Sequence, residues 1–106
     1  MEISADIIRG HIDTIILKLL LNEDMYGYQI SKTIHSATEG AYELKEATMY
    51  SSLKRMESDG SVIWYWGDQT QGGRRKYYKI TEKGKFLYEE NKKNWEFAKQ
   101  LLEILI

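Results

Sequence analysis

The sequence predicts a mainly α-helical domain that carries one small β-hairpin. Apolar residues recur at helical spacing over most of the chain, and two short runs of aromatic and β-branched residues follow the third helical segment. Proline is absent, so no residue forces a helix to break, and glycine supplies most of the turn signals. A chain of 106 residues with 42% hydrophobic residues suffices for a single domain with a modest core.

The first two helices are predicted from apolar periodicity. The first covers residues 5–21 and ends at residues 22–24, and its apolar positions are Ile8, Ile12, Ile15, Ile16, Leu19 and Leu20. The second covers residues 26–37, with Ile30 and Ile34 facing inward and Gly40 closing the link that follows. Both helices therefore present one apolar face to a core.

The third helix opens at residues 44–48 and is stopped by residues 58–60. Met49, Leu53 and Met56 follow one another at i, i+4 and i+7, which predicts one buried stripe. The opposite face is predicted to show Thr48, Ser51, Ser52 and Arg55, with Tyr50 and Lys54 on its flank.

Two strands and a long helix complete the chain. The strands are predicted at residues 62–66 and 76–80, joined by a polar, glycine-flanked hairpin loop at residues 67–73. Thr81 is the predicted N-cap of a last helix over residues 82–105, whose seam holds Leu87, Asn91, Asn94, Trp95, Ala98, Leu101, Leu102 and Leu105. Three short helices followed by a basic hairpin form the winged helix-turn-helix plan, in which the third helix enters the major groove and the wing contacts flanking backbone.

The charge of the chain is unevenly distributed. The formal net charge is −1, yet residues 45–79 carry seven cations and four acids, whereas residues 1–44 carry three cations and seven acids. Residues 72–81 contain Arg74, Arg75, Lys76 and Lys79 and no acid. Cations at a hairpin tip braced by aromatic strand residues predict a contact with the phosphates of double-stranded DNA. A solvated charged turn is the alternative interpretation.

The candidate DNA-binding residues are drawn from three segments. Arginine and lysine can pair with guanine edges, and hydroxyl groups suit phosphates or bases. The candidates are Tyr26 in the second helix, Thr48, Tyr50, Ser51, Lys54 and Arg55 in the third, and Arg74, Arg75 and Lys76 in the wing. Which of these side chains contacts bases stays open, and an ordinary exposed helix face is the alternative for the third helix.

Other classes of protein are disfavoured by what the sequence lacks. Without cysteine there is no disulfide framework or thiolate metal site, and His11 and His35 have no carboxylate partners at ligand spacing. No nucleophile–histidine–acid grouping or phosphate-binding loop is present, so we expect no enzyme, no metal and no cofactor. The N-terminus lacks the basic region of a signal peptide, and Lys18 interrupts the apolar run at residues 15–21. We therefore expect a cytoplasmic protein with no membrane partner.

Three motifs in order resemble the PadR family of bacterial transcriptional regulators. They are YGYQI at residues 26–30, ATMYSSLKRMESDG at residues 47–60 and GGRRKYYKITEKG at residues 72–84, so the resemblance covers nearly the whole chain. The single C-terminal helix resembles the small subfamily, and YWGD at residues 65–68 together with Trp95 is similar to its multidrug-responsive branch. On this basis residues 1–81 are the winged helix-turn-helix DNA-binding part and residues 82–106 the C-terminal dimerisation helix of one integrated domain.

The resemblance implies a homodimeric repressor that binds an inverted-repeat operator of an efflux or stress gene. In such a dimer the last helix packs against the partner's first helix, and a hydrophobic pore between the two Trp95 side chains accepts a planar aromatic effector. The implied interface and ligand residues are Ile7, Ile8, His11, Ile15, Asn91, Trp95, Ala98, Lys99 and Leu102.

This chain departs from the branch at two positions near Trp95. Lys99 stands where the branch has an acid one turn after the tryptophan, and Lys92 replaces an aromatic residue one turn before it. Cations beside the pore are expected to disfavour a positively charged ligand. A dimer core without a ligand is the alternative for Trp95, and a protein–protein docking module is the alternative for the whole domain.

Overall fold

The computed structural model describes residues 1–67 and 73–106, and the predicted hairpin loop falls largely on residues 68–72, outside the described ranges. The elements are α1 (Ala5–Ile8), a 3-10 turn (Arg9–His11), α2 (Ile12–Asn22), β1 (Met25–Tyr26), α3 (Gly27–Ala37), α4 (Glu46–Ser58), β2 (Val62–Trp66), β3 (Lys76–Ile80) and α5 (Glu82–Leu105). This mainly helical arrangement with a small antiparallel sheet confirms the predicted fold class. The four segments predicted as the third helix, the two strands and the last helix correspond to α4, β2, β3 and α5.

The predicted first helix is interrupted, which the apolar periodicity did not indicate. Ser4 caps α1 by accepting a hydrogen bond from the backbone of Asp6, and a 3-10 turn at Arg9–His11 separates α1 from α2. Gly10 lies in this turn, and glycine is among the weakest helix formers because it loses the most backbone freedom. The C-terminal end of the predicted helix is confirmed at Asn22.

A short strand before α3 was also not predicted. Met25 and Tyr26 form β1, which pairs antiparallel with Tyr78 and Tyr77 of β3, so the sheet has the order β1-β3-β2 in the described residues. Two residues are too few to show the alternation by which a strand is recognised. The pairing brings Tyr26 beside the wing.

The core lies between the helices and one face of the sheet. Its members from α2, α3, α4 and the sheet are Ile16, Leu17, Leu20, Met25, Ile30, Ile34, Met49, Leu53, Met56, Val62, Tyr78 and Ile80. The predicted inward positions of α3 and the predicted stripe of α4 are therefore confirmed. Ser52 was placed on the exposed face of α4, and this is wrong, because α2 packs against that side and leaves the Ser52 side chain 2% exposed.

Helix α5 is buried at its beginning and exposed towards its end. Thr81 accepts a hydrogen bond from the backbone of Gly84, which confirms the predicted N-cap. Gly84 and Tyr88 are buried, whereas every residue from Lys92 onwards is exposed in the single chain. Among the described residues, no helix has both the length and the apolar character that a membrane span requires.

Candidate nucleic-acid interface

The rotation of α4 is set by its buried stripe. With Met49, Leu53 and Met56 in the core, Thr48, Ser51 and Arg55 are exposed on the other side of the helix. These three predicted residues share one concave surface of about 360 Å³ with Arg9, Ile12, Ala47 and Ser52. The structure thus brings part of the predicted third-helix set together and adds Arg9, which the sequence did not single out.

Arg55 is held by an acid from α2. Its Nη2 atom lies 2.8 Å from Oδ1 of Asp13, and the Ser52 hydroxyl donates a hydrogen bond of 2.5 Å to the same oxygen. Arg9 forms a comparable pair with Asp6, also at 2.8 Å, between two largely exposed side chains. Asp13 and Arg55 are 42 residues apart, and no local pattern in the sequence indicates their contact.

The other predicted residues of α4 meet the wing. Tyr50, Lys54 and Lys76 line a groove of about 450 Å³ between α4 and the sheet, together with Glu57, Ser58, Trp64 and Tyr78, and we call it the helix–wing groove. The Lys76 ammonium lies 4.2 Å from the centre of the Trp64 ring, a cation–π distance. The Trp64 indole donates a hydrogen bond of 2.9 Å to Glu57, so the one carboxylate among the groove's lining residues already has a partner.

Tyr50 of this groove packs closely on a glycine of α3. A Cβ atom at Gly27 would collide with the Tyr50 hydroxyl and approach Met49, so any larger residue there would displace the Tyr50 side chain. Burial raises the pKa of Tyr78 at the base of the groove, and the nearby Tyr50 and Glu57 raise it further. Tyr78 therefore stays neutral beside Lys76.

The wing cations differ in how firmly they are held. The Arg75 guanidinium lies 4.5 Å from the centre of the Tyr26 ring, and that ring packs edge-on against Tyr77 at 5.5 Å. Tyr77 also stacks on Tyr65, with ring centres 5.8 Å apart. Arg74 is exposed and has no acidic partner within residues 1–67 and 73–106. Tyr26 therefore contributes to the site by holding Arg75 over its ring.

An apolar groove lies on another part of the surface, beside Trp95. We call it the Trp95 groove; it has a volume of about 400 Å³ and is lined by Ile3, Ile7, Ile8, His11, Thr14, Ile15, Lys18, Tyr88, Lys92 and Trp95. A second concavity continues it along α5 past Ala98, Lys99, Leu102 and Glu103. Of the predicted interface and ligand residues, the structure brings all but Asn91 to these two surfaces; Asn91 is half-buried and lines neither.

The Trp95 groove has a cationic border. Lys18 and Lys92 line it, and the Lys99 ammonium lies 5.6 Å from the centre of a Trp95 ring. Lys18 was not predicted, although it lies three residues after Ile15 and hence on the same face of α2. Asp13 does not offset these charges, because its carboxylate is engaged with Arg55 and Ser52.

The histidines occupy unrelated positions. His11 lines the Trp95 groove, and His35 lies exposed near Gly40. Within the part of the chain that the structure describes, no group of histidine and acidic residues has the arrangement of a metal site.

The comparisons with known proteins agree with this architecture. The family model of PadR-like transcriptional regulators matches residues 16–90. An uncharacterised protein from Lysinibacillus sphaericus is 42% identical over 104 residues, covering 98% of this chain and 95% of that protein. A transcriptional regulator from Clostridium thermocellum has 44% identity and a TM-score of 0.89, with 95% of both chains covered. A PadR family transcription regulator from Clostridium difficile has 43% identity and a TM-score of 0.76, covering 89% of this chain and 96% of that one.

This chain belongs to the PadR-like family of transcriptional regulators. Members of the family are DNA-binding proteins and not enzymes, which confirms the expected family and the absence of catalytic activity. The protein is therefore a transcriptional regulator.

Proposed function

We propose that this regulator binds double-stranded DNA as a homodimer and represses an efflux or stress operon. The observation that carries the proposal is the helix–wing groove, where Lys54 of α4 and Lys76 of β3 face the same space. The exposed residues of α4 would enter the major groove, and Arg74, Arg75 and Lys76 would contact the adjacent backbone. None of the residues that line this groove comes from the acidic segment 1–44, which agrees with local rather than overall attraction to DNA.

The exposed end of α5 supports the dimer. Leu102 is 52% exposed and Ile106 98% exposed in the single chain, and both line the concavity that also contains Trp95. Contiguous apolar surface of this kind usually marks an interaction site. A second copy covering it would present two α4 helices to an inverted repeat, whose half-sites lie about 34 Å apart.

The wing cations give the first prediction. Replacing Arg74 and Arg75 by alanine should weaken binding to every DNA sequence and flatten the slope of log affinity against log salt by roughly two units, because two phosphate contacts are lost. The measurement is a gel-shift titration of parent and variant against DNA upstream of the protein's own operon, over a range of salt concentrations.

The same titration tests the larger proposal. A matched double variant, Lys85→Ala with Lys93→Ala on α5, removes two exposed cations outside the wing and should keep the parent slope. Two chains per duplex are expected from sedimentation of the complex. Absence of any specific shift by the parent at moderate salt would support a protein–protein docking module instead.

We further propose that a planar aromatic molecule is the effector and binds in the Trp95 groove. The groove combines an exposed indole with the apolar side chains of Ile7, Ile8 and Ile15. Lys18, Lys92 and Lys99 disfavour a positively charged ligand at this site. Binding would shift the angle between the two copies, and hence the spacing of the α4 helices, only if the ligand has different affinities for the two arrangements.

Replacing Trp95 by alanine should therefore remove binding of planar aromatic compounds. The variant loses the stacking surface, which we expect to weaken affinity by at least about tenfold. Tryptophan fluorescence of the parent follows the titration, and calorimetry follows the variant, because Trp64 and Trp66 remain as background. Trp66→Phe is the matched control, since Trp66 lies on the sheet, and it should bind as the parent does. Equal affinity of Trp95→Ala and the parent would remove this site.

A further inference from the structure

The first turn of α2 is joined to the middle of α4 by a polar contact. The Asp13 carboxylate accepts hydrogen bonds from Arg55 Nη2 at 2.8 Å and from the Ser52 hydroxyl at 2.5 Å. Ser52 is 2% exposed, so its hydroxyl lies in the interface between the two helices. Asp13 is thus fixed from the core side by Ser52 and from the solvent side by Arg55.

The contact with Asp13 leaves much of the Arg55 guanidinium available. A guanidinium carries five N–H donors in a planar fork. Nη2 makes the 2.8 Å contact, and Nη1 lies 3.4 Å from both carboxylate oxygens. The Arg55 side chain is 58% exposed and shares its concave surface with Thr48 and Ser51, so its remaining donors are accessible from the surface that α4 is proposed to offer to DNA.

The pair also changes what kind of contact Arg55 can add. Arg55 with Asp13 is neutral as a unit, so it contributes little to the general attraction for phosphates. Arg74, which has no acidic partner in the described residues, supplies that attraction without orientation. A guanidinium that is held in one plane keeps the direction of its donors, and recognition of a base edge depends on that direction.

We propose that Asp13 is a positioning residue, which holds Arg55 in the orientation that reads a base edge in the major groove. This inference rests on the proposed DNA-binding function and adds to it the source of sequence discrimination. Asp13 then has two effects: it lowers the attraction of α4 for arbitrary DNA, and it strengthens the preference for the operator.

The variant Asp13→Asn tests this. Asparagine keeps the shape of the side chain and a partner for Ser52, but it removes the ion pair with Arg55. Affinities are measured for the duplex that the parent selects from its own promoter DNA and for a shuffled duplex of the same composition, at one salt concentration. The ratio of the affinity for the selected duplex to the affinity for the shuffled duplex should fall about tenfold, which is within the range for one well-placed base contact. The affinity for the shuffled duplex should rise.

Asp6→Asn is the matched control. It removes the same charge from the other arginine–aspartate pair, Arg9 with Asp6, which has the same 2.8 Å distance but 72% and 81% exposed side chains. Exposed pairs of this kind restrain their members little. The control should raise both affinities and leave their ratio unchanged.

Two more variants separate positioning from a general structural role. In an Arg55→Ala background, Asp13→Asn should leave the ratio unchanged. Arg55→Lys keeps the charge and the pairing with Asp13 but lacks the planar fork, so it should lower the ratio as Asp13→Asn does, and it carries the test if the asparagine variant is unstable.

The outcomes that would overturn the inference are distinct from failure of the proposed function. In one outcome the parent prefers the selected duplex over the shuffled one, and Asp13→Asn and Arg55→Lys keep the same ratio of the two affinities. That result overturns this inference alone. This inference is also overturned if Asp13→Asn lowers the affinities for both duplexes equally, both in the parent and in the Arg55→Ala background. A parent that binds neither duplex overturns the proposed function together with the inference.

Discussion

Tyr65 shows how one hydroxyl group links distant parts of the fold. It lies in β2, and its hydroxyl donates a hydrogen bond of 2.5 Å to Asp24, in the link between α2 and β1. The hydrogen bond to Asp24, followed by burial, raises the pKa of Tyr65 to about 12. A raised folded-state pKa of an acid stabilises the fold below the unfolded-state value, and this contribution is lost as the pH rises towards the folded-state value.

Replacing Tyr65 by phenylalanine should therefore lower stability in a pH-dependent way. The difference in denaturant midpoint between parent and variant is expected to be largest below pH 10 and to shrink between pH 10 and about 12. Tyr28→Phe is the control, because Tyr28 is exposed and its hydroxyl has no hydrogen-bond partner in the described ranges. A difference that stays constant up to pH 12 would contradict the Tyr65–Asp24 bond.

Single residues of the site were predictable where charge or spacing marked them. The acid-free wing segment identified Arg74, Arg75 and Lys76, and the apolar stripe of α4 identified Thr48, Ser51 and Arg55 as its outer face. The partners of these residues were not predictable. Asp13 reaches Ser52 and Arg55 across 39 and 42 residues, and only the packing of α2 on α4 brings them together.

At the scale of elements, the position of the start of α5 depends on the close approach of Gly84 to the backbone of Ser61. A Cβ atom at Gly84 would collide with the backbone carbonyl of Ser61 and crowd the side chain of Ile80. The Ser61 carbonyl is held in place, since it also accepts a hydrogen bond from the backbone N–H of Thr81. The glycine thus allows α5 to lie directly on the turn before β2.

Gly84→Ala should consequently destabilise the domain, although alanine is the better helix former. Alanine in a helix is favoured by about 1 kcal/mol over glycine, but overpacking against backbone costs about 1–3 kcal/mol, and here the second effect should prevail. Gly10→Ala is the matched control, because no atom lies within 4 Å of its added Cβ, and it should be neutral or slightly stabilising. Denaturant unfolding measures both, and a Gly84→Ala variant as stable as the parent would show that α5 can move away from Ser61.

Elements with a long periodic signal were predicted well, and short ones were not. Helix α5 and strands β2 and β3 have their predicted bounds, since several turns or alternations carry each pattern. The break at Gly10 was not predicted, because it depends on the local backbone preference of glycine. The two-residue β1 was not predicted, because it depends on pairing with β3.

At the scale of the whole molecule, α2 connects the two surfaces to which function is assigned. Asp13 on one side of α2 contacts α4, while Thr14, Ile15 and Lys18 line the Trp95 groove. If a ligand in the Trp95 groove moved α2, the Asp13 contact would therefore transmit that movement directly to the α4 surface proposed to bind DNA. The sequence indicated both surfaces, but their connection through one helix depends on the tertiary fold.

The anchoring of α5 has a mechanical consequence. The helix is buried at Gly84 and Tyr88, and every residue beyond Asn91 is exposed in the single chain, so it can act as a lever with its pivot near Tyr88. At about 1.5 Å per residue, Trp95 lies about 10 Å from that pivot and the end of α5 about 25 Å. A displacement at Trp95 is then amplified about 2.5-fold at the tip, where α5 ends in an exposed apolar surface.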